Sequence, residues 1–270
     1  MIFLYTLFGL LFLFLIYVLF LVRPCNTHKI DNLLKCDYAH RGMHGEGIPE
    51  NSLAAFSRAV EHGFGIELDV QLSADGVVMV FHDYNLKRMT GCNKLLSDLT
   101  YEELRKLFLN GGNEKIPTLS EVLELVCGRV PILIELKGEK TDVSLCPKVD
   151  DIMSGYNGAY CIESFNPLLT AWYARNKKDV YRGILISNIC KNKNFSLTSF
   201  LLNLMVLNCL ARPNFISYDG RYKKMLSVRL SVGLFKADRF VWTARNKDEY
   251  FILKREKACV IFEGCIPEKE

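Results

Sequence analysis

Between Tyr38 and Gly91 the chain gathers His40, Arg41, Glu67, Asp69 and His82, each close to the end of an apolar run. The runs read Ala39-His40-Arg41-Gly42, then Ile66-Glu67-Leu68-Asp69-Val70, then Phe81-His82-Asp83, with Pro49-Glu50-Asn51-Ser52 between the first two. Imidazoles exchange protons near neutral pH and close carboxylates hold hard cations, so such a set could carry proton-transferring chemistry on a charged substrate. Side chains two apart on a strand share a face, which puts Glu67 and Asp69 together and Ile66, Leu68 and Val70 opposite. A half-buried strand with its acids in water alternates in the same way, so the pair has meaning only through its company. A third acid joins in Pro131-Ile-Leu-Ile-Glu135-Leu-Lys137, where Ile132, Ile134 and Leu136 face one way and Leu133, Glu135 and Lys137 the other. Carboxylates brought together without a cation repel and raise one another's pKa. Mg²⁺ or Ca²⁺, each bound through oxygen, resolves that conflict. His44 and His62 have no comparable company and are read as ordinary structural histidines.

The elements that must position these groups follow a repeated strand-then-helix pattern from Lys35 onward. Strands are expected at 36–39, 65–71, 131–136, 159–164, 181–186, 215–218, 239–243 and 258–262. Helices are expected at 51–62, 101–108 with 118–127, 144–154, 167–177, 196–210, 221–234 and 246–256. Eight strands joined by crossover helices make a (β/α)8 TIM barrel, whose functional side chains gather at the C-terminal ends of the strands. A further run, Val77–Phe81, follows 65–71 after only Leu72-Ser73-Ala74-Asp75-Gly76. So short a link cannot join parallel strands, and Asp-Gly is a hairpin signal, so this run is predicted to be an antiparallel flap outside the eight. The stretch 84–118 is too long for a simple loop and is expected to form a small helical insertion over the site.

The chain has 270 residues, half of them hydrophobic, and a net charge of +4 with no run of like charges, which argues against a nucleic-acid partner. Its ten cysteines form no C-x-x-C pair and no cluster with histidine, so free thiols in a reducing compartment are expected rather than a zinc site or disulfides. Met1–Val22 carries no charged side chain. As a helix rising 1.5 Å per residue it reaches roughly 33 Å, enough for a bilayer core. It lacks the basic start and small-residue cleavage site of a signal peptide and is read as an uncleaved transmembrane anchor. The expected organisation is anchor 1–22, linker 23–34 and barrel 35–266, with 84–118 as the insertion. Arg23, Lys29 and Lys35 follow the span while none precedes it, so the positive-inside rule puts the barrel in the cytoplasm of a single-pass membrane protein.

These motifs resemble the glycerophosphodiester phosphodiesterases, which share their barrel with phosphoinositide-specific phospholipases C; the likeness is to a membrane-anchored, bacterial-type member. The matching segments are His40-Arg41-Gly42, Pro49-Glu50-Asn51-Ser52, Glu67-x-Asp69, Asp75-Gly76, His82-Asp83, Arg88-x-Thr90-Gly91, Ile116-Pro117-Thr118-Leu119, Glu135-Leu-Lys137, Ser164-Phe165 and Trp242-Thr243. The resemblance implies that Glu67, Asp69 and Glu135 bind the divalent metal and that His40 and His82 are the acid–base pair. It further implies that Arg41 and Lys137 contact the phosphate, while Phe165 and Trp242 line the substrate mouth. Two places depart from the pattern. Ala244-Arg245-Asn246 follows Trp242-Thr243 where a valine and an asparagine are usual, and Phe262-Glu263-Gly264 stands in place of Thr-Asp. Neither is expected to touch the metal or histidine positions.

The implied reaction is hydrolysis of a small glycerophosphodiester to glycerol 3-phosphate and an alcohol, one histidine taking a proton and the other giving one. With no Ser, Cys or Thr in a recognisable nucleophile motif, attack by the substrate's own neighbouring hydroxyl is expected. Two other readings remain open: a lysophospholipase D acting on lysophospholipids at the membrane surface, for which the anchor and the apolar stretch 195–210 speak, and a membrane-tethered barrel that binds without catalysis. Oligomeric state is left open.

Overall fold

A computed structural model describes residues 1–25, 31–45, 47–138, 141–187 and 196–267. Lys29, part of the expected linker (26–30) and Phe195 lie outside the described residues. The strands are β1 (Tyr38–Ala39), β2 (Gly65–Leu72), β3 (Val78–Val80), β4 (Ile132–Leu136), β5 (Tyr160–Ser164), β6 (Arg182–Ile186), β7 (Phe215–Asp219), β8 (Asp238–Ala244) and β9 (Cys259–Phe262). All but β3 pair in parallel, and β1 closes the ring by pairing with both β2 and β9. This is a closed eight-stranded (β/α)8 barrel. The flap β3 pairs antiparallel to β2, Val70 facing Val80 and Leu72 facing Val78.

Between strands and outer helices runs an aliphatic layer that includes Ile66, Leu68, Val70, Ile132, Ile134 and Leu136. Inside the ring, toward the strand starts, Tyr38, Leu133, Phe215 and Phe240 form a second, aromatic core. The Phe215 and Phe240 ring centroids are 4.3 Å apart. A Cβ on Gly183 would sit 2.1 Å from the Phe215 ring, so glycine is what lets that ring fill the interior. The interior is therefore plugged below, which confines a site to the rim where the strands end.

Local sequence accounts for the helices that brace this rim. Ser52 caps helix Leu53–Glu61 by accepting from the Ala55 N–H, and Ala55, Phe56, Ala59 and Val60 bury one stripe. Thr118 and Glu121 form a reciprocal capping box at helix Leu119–Val126, which explains the Thr118-Leu119 motif. Residues 84–118 fold as short helical turns around their own small core, Leu86, Met89, Leu96, Leu104 and Leu109.

Two expected helices are broken. The stretch 196–210 becomes Leu197–Asn203 and Asn208–Ala211, separated where Met205 adopts a left-handed backbone (φ 51°). The stretch 221–234 becomes three short pieces ending in a π-type turn, Arg229–Leu234. Pieces of both pack on the N-terminal segment. Val22 is fully buried against Met205, Val228 and Val232, and its carbonyl accepts from Asn208 Nδ2 (3.0 Å) and Ser231 Oγ (3.3 Å). Ahead of that joint, Ile2–Leu21 is one apolar helical stretch of 20 residues, as long and apolar as a membrane span or a signal sequence. Leu33 is fully buried beneath the barrel.

Candidate active site

The parallel register makes Asp69 and Glu135 direct cross-strand partners, with Glu67 two residues before Asp69 on the same face. All three are almost fully buried, and one carboxylate oxygen from each lies within 4.8 Å of the others. Their supports come from the loop after β1. Arg41 adopts a left-handed backbone (φ 54°) and donates its N–H to Glu67 Oε2 at 2.8 Å. Its guanidinium reaches Glu50 at 2.8 Å and Asp69 at 3.5 Å. A Cβ at Gly42 would lie 2.8 Å from that of Ala55, so the turn that aims Arg41 requires glycine next. Asn51 donates to Asp69 Oδ2 at 2.9 Å. The Pro-Glu-Asn-Ser motif thus clamps an arginine, orients an acid and caps a helix in successive residues.

Lys137 Nζ sits between Asp69 (3.0 Å) and Glu135 (2.5 Å). The sequence reading overlooked a fourth acid beneath them. Glu163 on β5 is the register partner of Glu135 and is fully enclosed. Its alternation in Cys161-Ile162-Glu163-Ser164 is the same inward pattern that revealed Glu135.

These four carboxylates have two permanent cations close by, Arg41 and Lys137. Burial, reinforced by Asp69 and Glu135, pushes Glu67 well above the usual carboxylate range. Burial and Glu135 do the same to Glu163, and burial raises Glu135 to about 7 despite Lys137. Burial also works against ionisation of Asp69, but Lys137, His82 and Arg41 outweigh it and hold Asp69 far below its ordinary value. Asp69 Oδ1 is buried and meets Lys137 without a well-aligned hydrogen bond. An all-oxygen, charge-deficient cluster of this kind fits Mg²⁺ or Ca²⁺. Glu67, Asp69 and Glu135 are the residues that could hold the ion.

His40 and His82 flank the cluster. His82 Nδ1 is 2.6 Å from Asp83, whose other oxygen accepts from Arg88 Nε at 2.6 Å, and Arg88 also pairs with Glu50 at 2.6 Å. Gln71 donates to the carbonyls of Phe81, His82 and Asp83, pinning the flap end that carries His82. Burial lowers the His82 pKa, with Asp69 opposing, which favours a neutral ring at pH 7. His40 Nε2 lies 4.0 Å from Glu67, and its Nδ1 is 2.6 Å from Glu263 Oε2.

That last contact corrects the sequence reading. Glu263 was expected to stay clear of the histidines, yet barrel closure sets the end of β9 beside the end of β1, with the His40 N–H donating to the Phe262 carbonyl at 2.9 Å. The other departure joins it, because Arg245 Nε donates to Glu263 Oε1 at 2.9 Å. The hydrogen bond from His40 lowers the Glu263 pKa to about 2 despite partial burial. His44, set aside from sequence, lies near His40 and Glu263. Phe165 and Trp242 meet edge to face with centroids 5.9 Å apart, Phe165 about one-third exposed. Ser164 ties β5 to β4 by donating to the Leu136 carbonyl at 2.7 Å.

The model of the glycerophosphoryl diester phosphodiesterase family matches residues 40–191, more than half of the chain and most of this rim. The chain belongs to that family. Among its relatives, a Bacillus altitudinis glycerophosphodiester phosphodiesterase is 44% identical over 107 residues, 37% of this chain and 43% of that protein. A human lysophospholipase D is 37% identical over 154 residues, 52% of this chain and 48% of that one. The chain spans about half the length of the curated relatives it matches. Across a longer span, it superposes on a Thermotoga maritima glycerophosphodiester phosphodiesterase with a TM-score of 0.64 and 28% identity, covering 88% of this chain and 96% of that one.

Proposed function

We propose that this chain is a metal-dependent phosphodiesterase that hydrolyses glycerophosphodiesters to glycerol 3-phosphate and an alcohol. One observation carries the reading: Glu67, Asp69 and Glu135 converge within 4.8 Å on the rim that also presents His40 and His82. Glu67, Asp69 and Glu135 would hold Mg²⁺ or Ca²⁺, which when bound supplies Lewis-acid polarisation of phosphate oxygens. Arg41 and Lys137 add positive charge where charge accumulates on the phosphoryl group in the transition state. The carboxylates on Nδ1 of His40 and His82 leave each Nε2 for the proton transfers. One ring accepts the proton of the attacking oxygen and the other donates to the departing alcohol. With nucleophile and phosphorus in one molecule, attack by the neighbouring glycerol hydroxyl removes much of the entropic barrier. A barrel that only binds would have no use for two carboxylate-oriented imidazoles beside an acidic cluster.

For organisation, the reading keeps an anchor at 1–22, the barrel at 35–266 and a membrane location with the barrel in the cytoplasm. The buried Val22 supports an uncleaved anchor, because cleavage near it would remove a fitted part of the barrel wall. The test is turnover of glycerophosphocholine by the purified full chain with each metal in turn, reading glycerol 3-phosphate. Failure to form it under any metal would refute the assignment.

A further inference from the structure

Beside the carboxylate cluster the rim holds a second group of converging donors. One ligand atom each from His40, His44 and Glu263 lie within 4.8 Å of one another. Barrel closure and a tight turn bring them together. Glu263 follows β9 and is fixed by its N–H, which donates to the Ala244 carbonyl at 2.9 Å. After β1, the Gly42 N–H donates to the Ala39 carbonyl at 3.1 Å and the His44 N–H to the Gly42 carbonyl at 2.9 Å, so the chain folds back and returns His44 to the side of His40.

Two imidazoles with one carboxylate are a different donor set from three carboxylates. Oxygen alone suits Mg²⁺ or Ca²⁺, whereas imidazole nitrogen with a carboxylate oxygen suits Zn²⁺. Zn²⁺ bonds at about 2.0–2.1 Å, so neighbouring ligands on a tetrahedral ion lie roughly 3.3 Å apart, and the three donors reach that spacing through shifts of no more than about 1.5 Å. His44 supplies an independent sign of an unmet partner: its Nε2 is buried and has no hydrogen-bond partner among the described residues. Such an atom is costly to leave unpaired, and a cation would satisfy it. His44 and Glu263 also line a cavity of ≈ 360 Å³. It shares no lining residue with the groove at His82 and Lys137, and gives an ion its own route to the triad.

We propose that His40, His44 and Glu263 form a second metal site, which takes Zn²⁺ and inhibits the enzyme. The binding stands on the triad alone; the inhibition rests on the phosphodiesterase reading above. Without Zn²⁺, Glu263 at 2.6 Å draws the hydrogen of His40 onto Nδ1 and leaves Nε2 with its lone pair. Zn²⁺ on Nδ1 turns Glu263 from hydrogen-bond partner into ligand and selects the other tautomer. The ring hydrogen then sits on Nε2, which has no lone pair left to accept a proton. Giving that hydrogen up would leave a costly imidazolate, so the ring fails as an acid too. His82 escapes this fate, because Arg88 holds its partner Asp83 and no such group of ligands forms around it among the described residues. One rim thus carries an activating site for a hard cation and an inhibitory site for a borderline one.

The test uses the purified full chain with excess Mg²⁺ and Ca²⁺ to occupy the carboxylate cluster. Co²⁺ serves as the visible probe: the wild type should show the absorption of an imidazole-bound ion, Zn²⁺ should abolish it, and His44→Ala should lack it. Bands that are absent from the wild type, or equal in both proteins, would overturn the site. In turnover of glycerophosphocholine, saturating Zn²⁺ should lower the wild-type rate by about 10²–10⁴, as loss of an acid–base group does. His44→Ala should keep the wild-type rate without Zn²⁺ and need about tenfold or more Zn²⁺ for half-inhibition, since groups that merely orient a metal's ligands are worth about 10–100-fold. Equal inhibition of both proteins, or inhibition that added Mg²⁺ relieves, would place Zn²⁺ in the carboxylate cluster and overturn the proposal. Absence of turnover with every metal would refute the phosphodiesterase reading, while the Co²⁺ spectra would still decide the site.

Discussion

Removing the Glu263 carboxylate should slow the enzyme without altering substrate capture. Glu263 Oε2 lies 2.6 Å from His40 Nδ1, a charge-assisted contact that fixes the orientation of the ring. Hydrogen bonds to charged groups are worth about 1.5–3 kcal/mol. At about 1.4 kcal/mol per factor of ten, Glu263→Ala should lower kcat by roughly 10- to 150-fold. KM should stay within about twofold, since Glu263 acts through the His40 ring, whose loss of positioning is read in kcat. Glu263→Gln keeps an oxygen that can accept from Nδ1–H and should fall between the mutant and the wild type. Arg245 is 62% exposed in its side chain, and such surface pairs contribute about 0–1 kcal/mol, so Arg245→Ala should cost less than about fivefold. Steady-state kinetics on glycerophosphocholine reads all three. A Glu263→Ala enzyme within twofold of wild-type kcat, with His40→Ala strongly impaired, would refute the coupling.

His40→Ala and His82→Ala should each lower kcat by about 10²–10⁴, and a near-wild-type rate in either would remove that histidine from the chemistry. A 2-deoxy analogue of glycerophosphocholine should be inert; hydrolysis at a rate close to the parent's would favour direct attack by water. Without metal, the protein should lose stability as pH rises from the ordinary carboxylate value of 4.5 through about 7. Folding raises the Glu135 pKa, so in that window the folded state binds more protons than the unfolded one and ΔG of unfolding falls with pH. Thermal melts in chelator from pH 4.5 to 8 should show the decline, Glu135→Gln should make it shallower while the raised Glu67 and Glu163 keep part of it, and a flat wild-type profile would contradict it.

Strand positions were legible because inward and outward residues alternate cleanly, and Glu67, Asp69 and Glu135 could be placed on one rim from that alternation alone. The antiparallel flap followed from a link too short for a crossover. Glu163 obeys the same alternation and was passed over because it matched no motif. Glu263 was hidden for a different reason: its neighbour His40 is 223 residues away in sequence, and only closure of β9 onto β1 brings them together. The broken helices at 196–210 and 221–234 were illegible because neither break, at 204–207 or at 223–225, carries a proline or a glycine. Pieces of both pack on the buried Val22, whose carbonyl accepts from Asn208 and Ser231, a contact no local pattern encodes.

The central claim is that the buried carboxylates at the barrel rim bind a metal on which phosphodiester hydrolysis depends. The most direct measurement is glycerophosphocholine turnover by chelator-stripped full chain titrated with Mg²⁺ or Ca²⁺, beside Glu67→Gln, Asp69→Asn and Glu135→Gln. The account predicts negligible glycerol 3-phosphate after stripping, saturable recovery on adding metal, and folded variants that do not recover. Full activity in the stripped wild type, or metal-dependent recovery in all three variants, would contradict it.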